Sequence, residues 1–201
     1  MTKPNRVLLV RHAPTSSTRR AAFPADEELD ARGRVEAATL RGTLPRVTAL
    51  TSPARRASET ATLAGFREAT IEPALAECGF GSWSGRTFRE VQHGDPDRFA
   101  AWLADPEACP PGGESISRLM SRVAGLLESL RNGPPTLCFT HGGPIKAAIV
   151  YALEAPLSAV WRVDVAPCSV TELHSRPAGG WTLARMNVPA AAFVTAGRVS
   201  A

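Results

Sequence analysis

The apolar positions of this chain fall into short continuous runs that alternate with longer amphipathic segments. Continuous apolar runs over residues 6–10, 47–52 and 135–140 are typical of buried strands in a parallel sheet. Residues 69–73 predict a further short strand. A closing hairpin is predicted from two β-rich segments across Arg176–Gly180.

The segments between these strands carry the three- and four-residue apolar spacing of helices. The clearest covers residues 113–133, where apolar side chains recur from Ile116 to Leu130 at helical intervals. Asp30 is a candidate N-cap for a helix that extends to about residue 43. The remaining predicted helices are 54–65, 143–153 and the short pieces 86–92 and 95–104.

Strands that alternate with helices indicate an α/β fold, with a mostly parallel central sheet covered by helices on both faces. The length of 201 residues fits one domain over residues 1–201, with a core large enough to be stable. The segment 188–201 has little patterning, and we expect it to be a frayed tail.

The charge and the cysteine content of the chain limit the kinds of ligand that it is expected to bind. The net charge of +4 comes mostly from scattered arginines, and no basic block indicates nucleic-acid binding. A modest positive excess suits an anionic small molecule equally well. The four cysteines lack metal-ligand spacing, so we expect free thiols and no metal site. The sequence shows no signal peptide and no membrane-spanning stretch, which makes the cytoplasm the expected location.

Two strands end in a histidine. The first ends in Arg11–His12, and the strand over residues 135–140 is followed by His141. Ligands of such sheets gather at the carboxyl ends of the strands, so the two histidines are expected to face each other there. Arg56, just inside the helix after the second strand, and Glu77, in a glycine-rich turn region, are placed to approach the same edge.

These residue types suit phosphoryl transfer. A neutral imidazole such as His12 is a good nucleophile when its second ring nitrogen is held by a hydrogen bond. Two arginines and a protonated His141 would stabilise the charge on the transferred phosphoryl group. The leaving oxygen needs a proton, which Glu77 could supply and later take back from water.

The motifs resemble those of the histidine phosphatase superfamily, which is also called phosphoglycerate-mutase-like. That family carries R-H-G after its first strand, and this chain has Arg11–His12–Ala13. Further family blocks are matched in order over essentially the whole chain by "SPARRASETA" (52–61), "LAECGFGSWSG" (75–85), "PGGES" (111–115) and "THGGPIKA" (140–147).

The resemblance implies a three-layer α/β/α sandwich and a catalytic set of His12, Glu77 and His141. It places Arg11 and Arg56 on the phosphate, with the Gly142 amide as a second-rank contact, and implies no cofactor or metal. Two positions depart from the pattern. Ala13 stands where the family has glycine, and Thr18 stands where it often has a phosphate-binding asparagine. We expect the Thr18 hydroxyl to make that contact.

The function expected from the resemblance is hydrolysis of a small-molecule phosphomonoester through a phosphohistidine. The compact length and the "PGGES" and "THGG" blocks look like those of α-ribazole-phosphatase or phosphoserine-type relatives. A phosphoglycerate-mutase-type transferase and a non-catalytic phospho-ligand binding module are the alternatives, and the oligomeric state stays open, a homodimer included. Of the remaining residues, Lys146 is expected on the surface, while Phe80 and Trp83 are expected to pack their turn.

Overall fold

A computed structural model describes residues 5–193, and the predictions for residues 1–4 and 194–201 lie outside this range. Within it, six strands form one sheet in the order β3-β2-β4-β1-β5-β6. Neighbours from β3 to β1 are parallel, whereas β5 runs antiparallel to both β1 and β6. The mostly parallel sheet and the closing hairpin are therefore confirmed. The strands are β1 (Arg6–Arg11), β2 (Thr48–Thr51), β3 (Thr70–Ile71), β4 (Thr136–Thr140), β5 (Ser169–Ser175) and β6 (Trp181–Pro189).

Helices cover both faces of the sheet. The longest are α2 (Ala31–Ala38), α3 (Arg55–Leu63), α5 (Pro96–Ala104), α6 (Ile116–Leu130) and α7 (Gly142–Ala152), and the short ones are α1 (Ser16–Arg19), α4 (Phe88–Gly94) and α8 (Ala190–Phe193). Alternate residues of β1 divide the core, because successive side chains of a strand point to opposite faces. Val7 and Leu9 pack with α6 and α7, whereas Leu8 and Val10 pack with α3. This division confirms the three-layer α/β/α architecture.

Local capping sets two helix boundaries inside the predicted ones. Ser115 is the N-cap of α6, where its hydroxyl accepts the Arg118 amide, so residues 113–115 remain outside the helix. The helix predicted to reach residue 43 ends at Ala38 in the structure. Thr39 and Leu40 then bond back three residues rather than four, a tightening typical of helix ends.

The frayed tail expected from residue 188 is wrong for residues 188–193. β6 continues to Pro189, and α8 follows it directly. Phe193 is buried against the guanidinium groups of Arg6 and Arg185, whose carbon atoms lie 5.5 and 5.2 Å from its ring centre. Stacking of arginine on an aromatic ring stabilises this segment, and the sequence pattern gave no signal of it.

Candidate active site

The ends of β1 and β4 bring the two histidines together, as the sequence predicts. β1 and β4 are adjacent and parallel, with Arg11 opposite Thr140. The His12 amide donates to the Thr140 carbonyl at 2.9 Å, which carries the pairing one residue beyond the strand. The ring centres of His12 and His141 are 5.0 Å apart, and both side chains are buried.

His12 has one ring nitrogen fixed and the other directed at a cation. Its Nδ1 lies 2.7 Å from the Ala13 carbonyl oxygen, so Nδ1 carries the proton and donates it. Nε2 then holds a lone pair, and Arg56 Nε donates to it at 3.3 Å. Burial, followed by the charge of Arg56, lowers the pKa of His12 to about 3. The imidazole is therefore neutral near neutral pH and available as a nucleophile.

Two guanidinium groups flank this nucleophile. Arg56 is the second residue of α3 and is buried, and its Nη1 donates to the Ala25 carbonyl at 2.9 Å. Arg11 ends β1, donates through Nη1 to the Val165 carbonyl and lines the cavity beside His12. Burial lowers the pKa of both arginines while Glu77 opposes the shift, and a guanidinium remains charged in such a site.

Glu77 reaches the same place from the other side. Its Oε1 accepts the Cys78 amide at 2.9 Å and the Gly143 amide, in the first turn of α7, at 3.1 Å. A Cβ on residue 143 would overlap Oε1, so glycine is required there for the carboxylate to approach the helix. Gly143 is a functional position that the sequence predictions do not include, although the paired glycines are a visible signal.

His141 is held by a residue that the sequence analysis did not single out. Its Nε2 lies 2.7 Å from Ser52 Oγ, at the end of β2. Ser52 Oγ also accepts the Ala54 amide at 3.2 Å, and the hydroxyl can either donate to Nε2 or accept from it. The other ring nitrogen, Nδ1, is buried and has no partner among the described residues.

The surroundings of His141 disfavour the protonated state that the sequence analysis expects. Burial lowers the pKa of His141 well below its usual value, and the neighbouring His12, Arg56 and Arg11 lower it further. The imidazole is completely buried among groups that disfavour a further positive charge. This environment favours the neutral form of His141, and the two arginines carry the positive charge.

The surface position expected for Lys146 is also wrong. Lys146 lies one helical turn beyond Gly142 on α7, and helical side chains lean toward the N-terminus. It is partly buried and lines the cavity, as does Asp164 on the opposite segment. Burial lowers the pKa of Lys146, whereas the charge of Asp164 raises it. Lys146 therefore belongs to the site.

Most of these groups border one cavity of about 280 Å³, whereas Arg56, His141 and Ser52 are not part of its lining. Its polar end is formed by Arg11, His12, Glu77 and the first residues of α7, and its other walls are mostly apolar. Within residues 5–193, no three His, Cys, Asp or Glu side chains are grouped to hold a metal ion. No helix of that part of the chain is long and apolar enough to cross a membrane.

Residues 7–189 match the family model of the histidine phosphatase superfamily, branch 1. The chain belongs to the histidine phosphatase superfamily. A bifunctional protein of Mycobacterium tuberculosis is 31% identical over 186 residues, which cover 86% of this chain and 51% of that protein. This chain thus spans about half the length of the first curated relatives that it matches.

Two further members of the superfamily match over most of their length. The adenosylcobalamin/alpha-ribazole phosphatase of Salmonella typhimurium is 30% identical over 172 residues, covering 80% of this chain and 85% of that protein. The mycobacterial glucosyl-3-phosphoglycerate phosphatase, solved with VO3, is 26% identical with a TM-score of 0.79. The match covers 92% of this chain and 99% of that structure. These matches relate the chain to named phosphatases.

The two departures from the histidine phosphatase pattern differ in consequence. Ala13 is not among the positive-φ residues of the described chain, so its backbone imposes no need for glycine. Its amide donates to Thr60 Oγ1 at 3.1 Å. Thr18 lines the cavity, and its hydroxyl lies 3.1 Å from Thr15 Oγ1, which is itself bonded to Glu27. Thr18 therefore has a local partner that competes for its hydroxyl.

Proposed function

We propose that this chain hydrolyses a small-molecule phosphomonoester through a phosphohistidine on Nε2 of His12. The observation that carries the proposal is the fixed imidazole, with Nδ1–H on the Ala13 carbonyl and Nε2 facing the Arg56 guanidinium. This arrangement orients a neutral nucleophile toward the charge that would receive a phosphoryl oxygen. The identity to named phosphatases over most of the chain supports hydrolysis as the outcome.

The first step of the proposed reaction forms the phosphoenzyme. The Nε2 lone pair of His12 attacks phosphorus, the bond from phosphorus to the ester oxygen breaks, and that oxygen keeps the electron pair. Glu77, which enters this step carrying a proton, gives the proton to the leaving oxygen. Arg11, Arg56, neutral His141 and the Gly142 amide stabilise the equatorial oxygens, with Thr18 as a further donor.

The second step returns the enzyme to its starting state. Water attacks the phosphorus of the phosphohistidine and loses a proton to the Glu77 carboxylate. The bond from phosphorus to nitrogen breaks, and its electron pair returns to Nε2 of His12. Glu77 is then protonated for the next ester, so atoms and charges balance over the cycle. The amides of Cys78 and Gly143 keep the carboxylate in place for both transfers.

The test combines a substrate panel with trapping of the intermediate. α-Ribazole phosphate heads the panel because of the 30% identity to the alpha-ribazole phosphatase, and phosphoserine and 3-phosphoglycerate follow. We expect released phosphate and an acid-labile label on His12. His12→Ala should abolish the label and lower the rate by at least about 10⁴-fold, the scale for loss of a nucleophile. His93→Ala, at an exposed histidine, is the matched control.

Three outcomes would overturn the proposal. Full activity in His12→Ala would exclude the phosphohistidine. Isomerisation of phosphoglycerate without net release of phosphate would establish the mutase alternative. Binding of phosphorylated ligands with no turnover of any ester and no label would establish the non-catalytic binding module.

A further inference from the structure

The cavity has a second wall, which the phosphoryl chemistry does not use. Five aromatic side chains line it: Phe23, Phe80, Phe88, Trp102 and Trp161. Pro24, Ile116, Leu119 and Val160 complete the apolar lining. A ligand whose phosphoryl group lies at His12 would extend its alcohol part into this region, because the polar groups occupy the other end.

This aromatic wall is already packed. Phe23 is fully buried, and its ring centre lies 4.9 Å from that of Phe80, 4.4 Å from Phe88 and 5.7 Å from Trp102. Trp161 extends the wall in a T-shaped contact with Trp102 at 4.5 Å, and its side chain remains 38% exposed. These separations are those of favourable aromatic pairs, so the wall can accept another ring without first being assembled.

The cavity is bordered by one further cation and one further anion. Apart from Arg11, His12 and Glu77, the ionisable cavity-lining side chains are Lys146 and Asp164, together with the thiol of Cys78. Lys146 and Asp164 carry opposite charges, and Asp164 Oδ1 accepts the Val165 amide. Arg19 is no substitute cation, because its guanidinium pairs with Asp30 and Glu36 on the surface. A second anionic group on the ligand would therefore meet a cation and an anion together.

We propose that the alcohol part of the substrate carries an aromatic or apolar group and no second anionic group. This inference rests on the proposed phosphatase function and adds the substrate class to it. Burial of a ring against the wall removes apolar surface from water, whereas burial of a carboxylate costs its hydration in a cavity that Asp164 borders as well as Lys146. Phosphorylated sugar acids and phosphoamino acids fall outside this class, and esters that bear an aromatic base fall within it.

The experiment compares three esters that share the same leaving chemistry. 2-Phenylethyl, 2-hydroxyethyl and 2-carboxyethyl phosphate all release a primary alcohol, so differences in kcat/KM report recognition of the group on the second carbon. We expect kcat/KM to be highest for the phenylethyl ester, at least about 10-fold above the hydroxyethyl ester, and lowest for the carboxyethyl ester.

Substitutions of Trp161 test whether the aromatic wall recognises the phenyl ring of the ester. Trp161→Ala should lower kcat/KM for the phenylethyl ester about 10-fold more than it lowers kcat/KM for the hydroxyethyl ester, with Trp161→Phe between the wild type and Trp161→Ala. Trp161 is suitable because its exposure makes loss of folding improbable on burial grounds. Leu103→Ala, at an exposed apolar residue beside Trp102 that does not line the cavity, is the control.

The outcomes separate this inference from the proposed function. Equal kcat/KM for the three esters, or preference for the carboxyethyl ester, would overturn the substrate class while hydrolysis through His12 stands. An unchanged phenylethyl preference in Trp161→Ala would likewise remove the aromatic wall from recognition. Failure to hydrolyse these three esters and every ester of the substrate panel, with no label on His12, would contradict the phosphatase function itself.

Discussion

The two ends of the cavity are built from different kinds of structure. The polar end uses the ends of β1, β2 and β4 and the first turns of α3 and α7, where hydrogen bonds fix nearly every side chain. The aromatic end uses the connection at residues 21–24, the helices α4 and α5, and a 3-10 helix at Leu157–Arg162. The polar end is therefore fixed by the sheet, and the aromatic end by the segments that join its elements.

This difference suits the two ends to different tasks: the polar end to catalysis and the aromatic end to recognition of the substrate alcohol. Groups at strand ends cannot move without disturbing the sheet, which suits a nucleophile that must be held in one orientation. Connecting segments change more freely while the sheet is kept, which suits recognition of different alcohols. Glu77 joins the two ends, because it binds the first turn of α7 and borders the cavity beside Cys78 and Phe80.

The largest expected effect is a loss of kcat on substitution of Glu77, the residue that joins the two ends of the cavity. Glu77→Gln keeps the shape of the side chain but removes the proton, so kcat for 2-phenylethyl phosphate should fall about 10²- to 10⁴-fold. With 4-nitrophenyl phosphate, whose phenolate leaves without a proton, the fall in the rate of phosphoenzyme formation should be much smaller. Single-turnover release of nitrophenolate measures that step. An equal loss on both esters would show that Glu77 is not the proton donor.

A smaller effect is expected when Glu77 is displaced without being replaced. In Gly143→Ala, the added Cβ overlaps Glu77 Oε1, and the carboxylate must move away from the helix. Misplacement of about 1 Å can reduce the rate by about 10²-fold, and we expect a loss of this order in kcat. Gly125→Ala on α6, where a Cβ meets nothing within 4 Å, should keep full activity. Unchanged kcat in Gly143→Ala would contradict the positioning of Glu77 by this amide.

The sequence predicts the polar end well because regular structure determines it. Apolar runs locate β1 and β4, and parallel pairing of adjacent strands is enough to bring His12 and His141 to one edge. Arg56 follows from the helix after β2, and Glu77 from a motif rather than from periodicity. Long-range pairs are harder to foresee. The contact of Ser52 with His141 joins residues 89 apart, and no local pattern reports it.

The aromatic end escapes prediction for a physical reason. Phe23, Phe88 and Trp161 lie in irregular or short segments, whose paths depend on tertiary packing rather than on periodicity. A partly buried lysine is likewise improbable from composition, so Lys146 was expected on the surface. The neutral state of His141 could not be deduced either, because it depends on burial beside His12 and two arginines.

The smallest effect is on stability, and it tests whether the polar end is the pH-sensitive one. Burial holds the pKa of His12 at about 3 in the folded chain, against about 6.5 when unfolded. Between these two pKa values, the unfolded chain binds a proton at His12 that the folded chain does not. The free energy of unfolding is therefore highest above about pH 6.5 and decreases as the pH falls. The slope of the free energy of unfolding against pH is about 1.4 kcal/mol per pH unit for each such histidine. His141 adds a second contribution of the same sign.

Denaturant unfolding between pH 6.5 and 4.5 measures this slope, in a range above the titration of most carboxylates. His12→Asn should reduce the slope by about 1.4 kcal/mol per pH unit, because it removes one buried titrating ring. His93→Asn is the matched control, since it makes the same substitution at an exposed histidine. Trp161→Ala, at the aromatic end, should also leave the slope unchanged. An equal slope in His12→Asn and the wild type would show that the buried nucleophile is not what makes the fold acid-sensitive.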